Sequence, residues 1–479
     1  MSQSLETHPS RIQRIALTLL KPKVAIPGLL LVTLFCAPFI YRASRLLGLP
    51  DIGPPFDLAK HGTVQIASKD NAYETYVKAS ALFVPTMSLK EPEERDKALE
   101  EGWPAASDGV RKWVTDNRPA LELWQEGTAA SDALLCQPRE QHFDTISEVP
   151  QKLREFAQLA KLEGSRLEDE GQPEAAWDMY RAVYRSSRHC GRHGGMDERI
   201  IGIAIHGMAA ASIEKWAGHP NVDATMLRQA LAEISADYEM TSPTSTAFQA
   251  AYFTLQNVYD DPALPPMLVE AFGGVSQPVI SELPTRHALF LLNEPEVSRR
   301  LADHAFANWL AQVDKPRHAR TPLQSRAGLL ELYDPSPGAV SASPTHARLE
   351  EFYRDSRLTL LTFPTITPFD VMVGREQSRQ ACLVVILAAQ TYQRAHGEFP
   401  QTLKHLQDGY LDALPADPFG AAGEPIHYRR DGERAIVWSV GENQLDDGGD
   451  VQLVSGGGWP PDFGYEFALP GAAEVKPSE

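Results

Sequence analysis

An uncharged, apolar run from Val24 to Tyr41, VAIPGLLLVTLFCAPFIY, constrains this chain more than any other feature. As an α-helix it spans roughly 27 Å, close to the ~30 Å hydrocarbon thickness of a bilayer. A cleavable signal peptide usually has a shorter apolar stretch and a small-residue cleavage site, and no good A-x-A-like site follows here. Phe35 is too bulky for the position that lipid attachment expects ahead of a cysteine such as Cys36. The run therefore reads as an uncleaved signal-anchor, with Pro27 and Pro38 near its ends, where a missing hydrogen bond costs least. Arg11, Arg14, Lys21 and Lys23 precede it, and Arg42 and Arg45 follow. That bias predicts a cytoplasmic N-terminus and everything after about residue 46 on the far side. The segment RIQRIALTLLKPK can also lie along the interface as a short amphipathic helix.

The chain has 479 residues, enough for two or three domains, and its net charge of −18 argues against nonspecific binding to a phosphate backbone. No nucleic-acid partner is expected. Four cysteines are too few for a disulfide framework. Cys36 falls in the apolar run and Cys382 on an apolar helix. That leaves Cys136 and Cys190 able to pair in an oxidising compartment, with free, partly buried thiols as the alternative.

The layout reads as a basic N-terminus (1–23), a membrane helix (24–41), a Pro/Gly linker (42–59) and an α-helical body (60–369). A small α+β unit (370–455) and a flexible tail (456–479) follow. In the body, NAYETYVKASALFVP and DGVRKWVTDNRPALELWQEG carry helical spacing, with Pro119 able to start a new helix. Leu153, Phe156, Ala160 and Leu167 share one helix face. Gly171 then stops that helix and Pro173 starts the next, on which Ala176, Met179, Tyr180 and Val183 repeat the period. This pair resembles a tetratricopeptide hairpin, with Gly164, Gly171, Ala176 and Tyr180 at its small and aromatic positions; a generic helical hairpin satisfies the same pattern. DERIIGIAIHGMAAASIEKWAG is apolar nearly all round and predicts a buried helix. Asp223 is placed to cap the helix after it.

The C-terminal unit opens with a long helix, roughly 370–394, ended by Gly397 and Pro400. A short helix QTLKHL, a turn at 414–419 and two strands follow, PIHYRRDG and RAIVWSVG, joined through Asp431-Gly432. Ala389, Tyr392, Gly397, Phe399 and Pro400 come in the order of a known pattern, as do Leu403 and Leu406, the run Leu414-Pro415-x-Asp417-Pro418-Phe419-Gly420, and Ser439-x-Gly441 before the acidic loop ENQLDDGGD. In these residues the unit resembles the globular region of the major pseudopilin of type II secretion systems, over roughly 375–450. The resemblance implies a secretion or envelope setting and a calcium ion in the acidic loop, held by Asp446, Asp447 and Asp450. Calcium takes six to eight oxygen ligands, and glycines let the backbone wrap closely; a solvated acidic turn is the alternative. No prepilin-peptidase site precedes the anchor, and the helix carries Arg375, Glu376 and Arg379, so a filament is not expected. Asp417 is expected to cap its turn, and Phe419 to pack on the helix near Ala388 and Tyr392.

His189, Cys190 and His193 have the H-C-x-x-H spacing of a metal site. The glycines around them also fit a helix stop, where histidine suits the helix dipole. His206 in the apolar helix reads as a satisfied core group. No zinc-protease, nucleophile-elbow, phosphate-loop or dinucleotide motif is present. The whole layout looks like a family of bacterial envelope proteins with no assigned activity. The chain thus reads as mainly α, a single-pass protein of the bacterial cytoplasmic membrane with its bulk extracytoplasmic. It would act as a binding or scaffold protein with an envelope partner. An envelope enzyme with a cleft in the helical body, or a purely structural component, are the competing classes.

Overall fold

The computed structural model describes residues 22–85, 92–142, 148–260, 287, 289–323, 328–334, 344–451 and 460–469. The chain divides into two compact units. Unit 1 is Met1–Gly53, Tyr259–His304 and Gly338–Phe363; unit 2 is Pro54–Val258, Ala305–Pro337 and Pro364–Glu479. The protein is mainly helical, with one small antiparallel sheet. Residues 1–21, including most of the basic N-terminus and the proposed interfacial segment, lie outside the described residues.

In unit 1, helix α1 (Pro22–Ser44) contains the apolar run. Its segment Ile26–Ser44 has a mean hydropathy of 1.7 and is long enough to cross a membrane, a profile that a membrane anchor and a signal sequence share. Pro27 and Pro38 fall inside this helix rather than near its ends. The reason is that Pro22 and Arg42–Ser44 continue the helical backbone beyond the apolar residues.

Unit 2 contains most of the helices. They are α2 (Ala72–Leu82), α3 (Pro92–Glu101), α4 (Asp108–Asp116), α5 (Arg118–Thr128), α6 (Glu148–Asp169), α7 (Pro173–His189), α8 (Met196–Ala217) and α9 (Ala224–Tyr238). Further along the chain come α10 (Thr244–Asp260), α11 (Glu294–Leu310), α12 (His346–Asp355), α13 (Arg357–Thr362) and α14 (Ile366–His396). Of these, α12 and α13 belong to unit 1, as does Glu294–His304 of α11. Local chemistry sets the ends. Asn71 accepts from Tyr73 N, and Asp223 accepts from Thr225 N and Met226 N, so each side chain satisfies otherwise orphaned amides. Gly397 terminates α14 in the left-handed conformation at φ 80°. Between α6 and α7, a Cβ on Gly164 would meet the Tyr180 ring at 2.3 Å, so only glycine permits this approach.

One large apolar core runs through much of unit 2. It joins Tyr76, Trp124, Phe156 and Trp216 of the helical body to Leu383, Ile386 and Phe399 of the C-terminal region and to Val437 and Phe467 of the sheet. There is no break in this core at residue 370. Helix α14 is buried along most of its length from Val373 to Thr391, which is why its sequence is apolar on several faces.

The sheet has the order β1 (His427–Asp431), β2 (Arg434–Ser439), β3 (Phe463–Ala468), all antiparallel. The β1–β2 turn runs through Gly432 at φ 60°, and Tyr428 pairs with Val437. The third strand corrects the reading of 456–479 as a flexible tail. Val437 pairs with Tyr465 across β2–β3, and Phe467 is buried against Phe399 with ring centroids 5.2 Å apart. Short strands of mixed polarity such as FGYEFA carry little periodic signal; pairing across the sheet creates the order.

Candidate binding cleft and its ionic floor

Asp417 shows why the L-P-x-D-P-F-G and S-x-G segments occur together. Its carboxylate accepts from Phe419 N within its own turn, as a turn cap does. It also accepts from Ser439 Oγ and Val440 N at the end of β2. One buried carboxylate thus staples turn to sheet. Phe419 does pack on α14, but at Gly374 rather than near Ala388 and Tyr392; a Cβ on Gly374 would lie 2.6 Å from the ring. The Arg317 guanidinium covers the ring at 4.5 Å. Tyr392 instead stacks on His396 at 4.1 Å.

This turn forms one wall of a cleft of about 950 Å³ within unit 2. The opposite wall is Tyr238–Thr244, one end is the Val313–Arg320 loop, and Gln377, Gln380, Ala381 and Val384 of α14 make the floor. Most of its cations are neutralised locally: Arg317 and Arg320 both pair with Asp370, at 2.9 and 2.8 Å. What remains mixes hydroxyls, amides and prolines with the ionisable side chains of Glu239, Asp314, Lys315 and His318.

Behind the floor lies a buried charge cluster. Glu376 is 1 % exposed and pairs with Arg188 of α7 at 2.6 Å and with Arg199 of α8. Burial alone would raise the Glu376 carboxyl, but the two guanidinium charges outweigh it and hold it down at about 2. Arg188 reaches on to Thr241 Oγ1 on the cleft wall at 2.9 Å. The hydroxyl of Tyr184 donates to Gln380 Oε1 at 2.8 Å. His206, fully buried 3.9 Å from Glu376, is held neutral: burial lowers its pKa first, and Arg188 adds to the effect. It is a core group tied to Gln380, as its apolar surroundings suggested. The cluster fixes α7, α8, α14 and one cleft wall to one another, so the floor is preorganised.

The H-C-x-x-H residues are brought close in sequence but not to one centre. His189 contacts the Tyr76 hydroxyl at 2.7 Å and Ala130 O at 3.1 Å. His193 pairs with Asp132 at 2.8 Å, and Cys190 Sγ donates to Glu198 O. Helix-end placement does not keep His189 charged, because burial lowers its pKa to about 3. Cys136 and Cys190 are both free thiols. Next to them Glu198 is partly buried, and its carboxyl is pushed up to about 7, first by desolvation and then by Asp197.

In the acidic loop the carboxylates of Asp446 and Asp447 are engaged separately. Asp446 accepts from Trp438 Nε1 and Gly448 N, and Asp447 accepts from Asn443 Nδ2. The carbonyl of Asp450 accepts from Asp462 N. Asp462, which the sequence did not single out, organises the loop: its buried carboxylate accepts from Asp447 N and Gly449 N. Among the described residues no group of three or more His, Cys, Asp or Glu side chains is gathered with metal-ligand geometry.

No family model, no curated protein and no solved structure matches the chain.

Proposed function

We propose that the chain is a single-pass, membrane-anchored binding protein of the bacterial envelope, with unit 2 outside the cytoplasm, and that it holds an extended segment of a partner protein in the cleft. The observation that carries this reading is the cleft itself. It is wide, its floor is fixed by the Glu376 cluster, and its lining of hydroxyls, amides and prolines, with both acidic and basic side chains, suits hydrogen bonding to the backbone and side chains of a polar peptide segment. Binding is favoured over catalysis because the shifted carboxyl of Glu376 and the shifted imidazoles of His206 and His189 are sealed in the core, away from the cleft.

The test is site-specific photo-crosslinking in the full-length, membrane-inserted protein. A photoreactive residue at Gln377 should capture a discrete partner from envelope extract that the same probe at Leu445 does not. Equal capture at both sites would remove the cleft from the reading. A reporter fused at residue 60 that works only in the cytoplasm would reverse the topology.

The secretion link rests on the resemblance of 375–450 to the pseudopilin pattern, and calcium belongs to that same reading. To bind it, Asp446, Asp447 and Asp450 would exchange their present partners, Trp438 and Asn443 among them, for the ion. A ligand that binds only the folded protein raises its stability, so added Ca²⁺ should raise the melting temperature and EDTA should lower it. Identical melting curves would remove the metal.

A further inference from the structure

We infer that unit 1 seats a second contact in the bilayer beside α1: the Phe290–Leu291 corner, with the Leu360–Leu361 pair of α13, lies in the headgroup–acyl boundary of the same membrane. The inference rests on reading α1 as a membrane helix. Ten large hydrophobic side chains outside α1 are exposed among the described residues, and six of them, Leu47, Ile52, Phe290, Leu291, Leu360 and Leu361, belong to unit 1. Unit 1 is much the smaller unit, so this is a concentration rather than the usual scatter.

Geometry supplies the depth. The Phe290 ring meets Phe39 edge-on with centroids 6.1 Å apart, and Phe39 lies inside the apolar span Ile26–Ser44. Five residues of helix separate Phe39 from Ser44, about 7.5 Å of rise. If that span fills the hydrocarbon, Phe290 cannot stand clear of the membrane. The attachment is stiff. Arg42 donates to Phe290 O at 2.6 Å while its guanidinium covers the Phe290 ring at 4.5 Å. Asn293 Nδ2 donates to Arg42 O at 3.3 Å, and Arg45 Nε donates to Leu292 O at 3.2 Å. Arg45 also reaches Asp355 O at 3.4 Å, next to the cap of α13, which places Leu360 and Leu361 within about two turns of the same level. An apolar corner rimmed by arginines is the arrangement that interfacial segments use, rings in the acyl boundary and guanidinium groups among phosphates. The occupant of this face is therefore phospholipid.

The test uses the full-length protein in vesicles of phosphatidylethanolamine and phosphatidylglycerol containing a trace of phospholipid with a diazirine on the acyl chain. After irradiation, labelled peptides are mapped by mass spectrometry. Label should fall on 26–44, on 289–293 and on 357–363. The last two should exceed the peptide containing Leu445, an exposed leucine of unit 2, by roughly tenfold, a bias that burial of a phenyl ring supports. Phe290→Glu combined with Leu291→Glu should lower the label on 289–293 by a similar factor and leave that on 26–44 unchanged. Label confined to 26–44 would overturn this inference and leave the anchor standing. No label on 26–44 would overturn the anchor reading and this inference with it. Equal label at Leu445, or a photo-crosslink from position 290 to a second copy in place of lipid, would also overturn it.

Discussion

Each unit contains a fully buried glutamate, and the two carboxyls move in opposite directions. In unit 2, Glu376 sits between Arg188 and Arg199 and is held down at about 2. In unit 1, Glu294 has one cation, Arg45, at 3.8 Å, and accepts from Ser356 Oγ and from Leu358 N at 3.4 Å. Burial is the largest influence on it, and its pKa is raised. Burial pushes both groups the same way; Glu376 has two guanidinium groups at hydrogen-bond distance and Glu294 has none, and that sets the sign.

The largest effect should come from breaking the tighter cluster. Glu376→Gln leaves Arg188 and Arg199 buried without a counter-charge and should cost unit 2 about 3–5 kcal/mol, read by hydrogen exchange of amides in α7, α8 and α14. Acid should do much of the same. The folded pKa of Glu376 lies below its unfolded value of about 4.3, so its contribution is complete above that pH and fades as pH falls toward 2. The loss should reach roughly 3 kcal/mol, at about 1.4 kcal/mol per unit. Glu294 has the reverse sign: its contribution is present below the unfolded pKa and is lost as pH rises. Amides in α12 and α13 should thus hold their protection at a pH where those in α14 lose it. Loss of protection in both units together would break the comparison.

Glu198 sharpens it, because it is partly buried and no cation is among the influences on its carboxyl, which is pushed up to about 7. Stability from this group is present below about 4.3 and declines as pH rises through 7. Glu198→Gln should therefore stabilise the protein above pH 7 by roughly 1–3 kcal/mol and have little effect at pH 4, by denaturant unfolding at the two pH values. The smallest effect is expected from Glu294→Gln. It keeps one carbonyl oxygen to accept from both donors, Ser356 Oγ and Leu358 N, and removes a charge only loosely paired, so the change at pH 5 should stay under about 1 kcal/mol.

Much of the helical plan was legible because its signals are local. Asn71, Asp223, Gly171 with Pro173, and Gly397 each act within a few residues of the end they define. The Asp431-Gly432 hairpin is legible for the same reason. The cleft and its floor were not. Glu376 meets Arg188 and Arg199 across 188 and 177 positions, and no spacing rule reaches that far. Arg375, Glu376 and Arg379 look alike as a charged triplet, yet they go to different places. Arg375 pairs with Glu442, Glu376 is sealed in the core, and Arg379 covers the Phe463 ring at 5.1 Å. Asp462 and β3 escaped notice because FGYEFA has no pattern of its own; its order comes from pairing with β2.

The place of β3 along the chain bears on how the protein is made. Ala435 and Val437 in β2, and the Gln390 amide that donates to Ala468 O at 3.2 Å, wait for a strand near the end of the sequence. At about 5–20 residues per second, a ribosome delivers that strand roughly half a minute to a minute and a half after starting. From the end of β2 at Ser439 to the end of β3 at Ala468, roughly 1.5–6 s at that rate, the nascent polypeptide has an open β-edge over unsealed apolar side chains, a template for pairing with any neighbouring strand. Synthesis therefore calls for a chaperone or an export channel that keeps this edge covered until the final strand closes it.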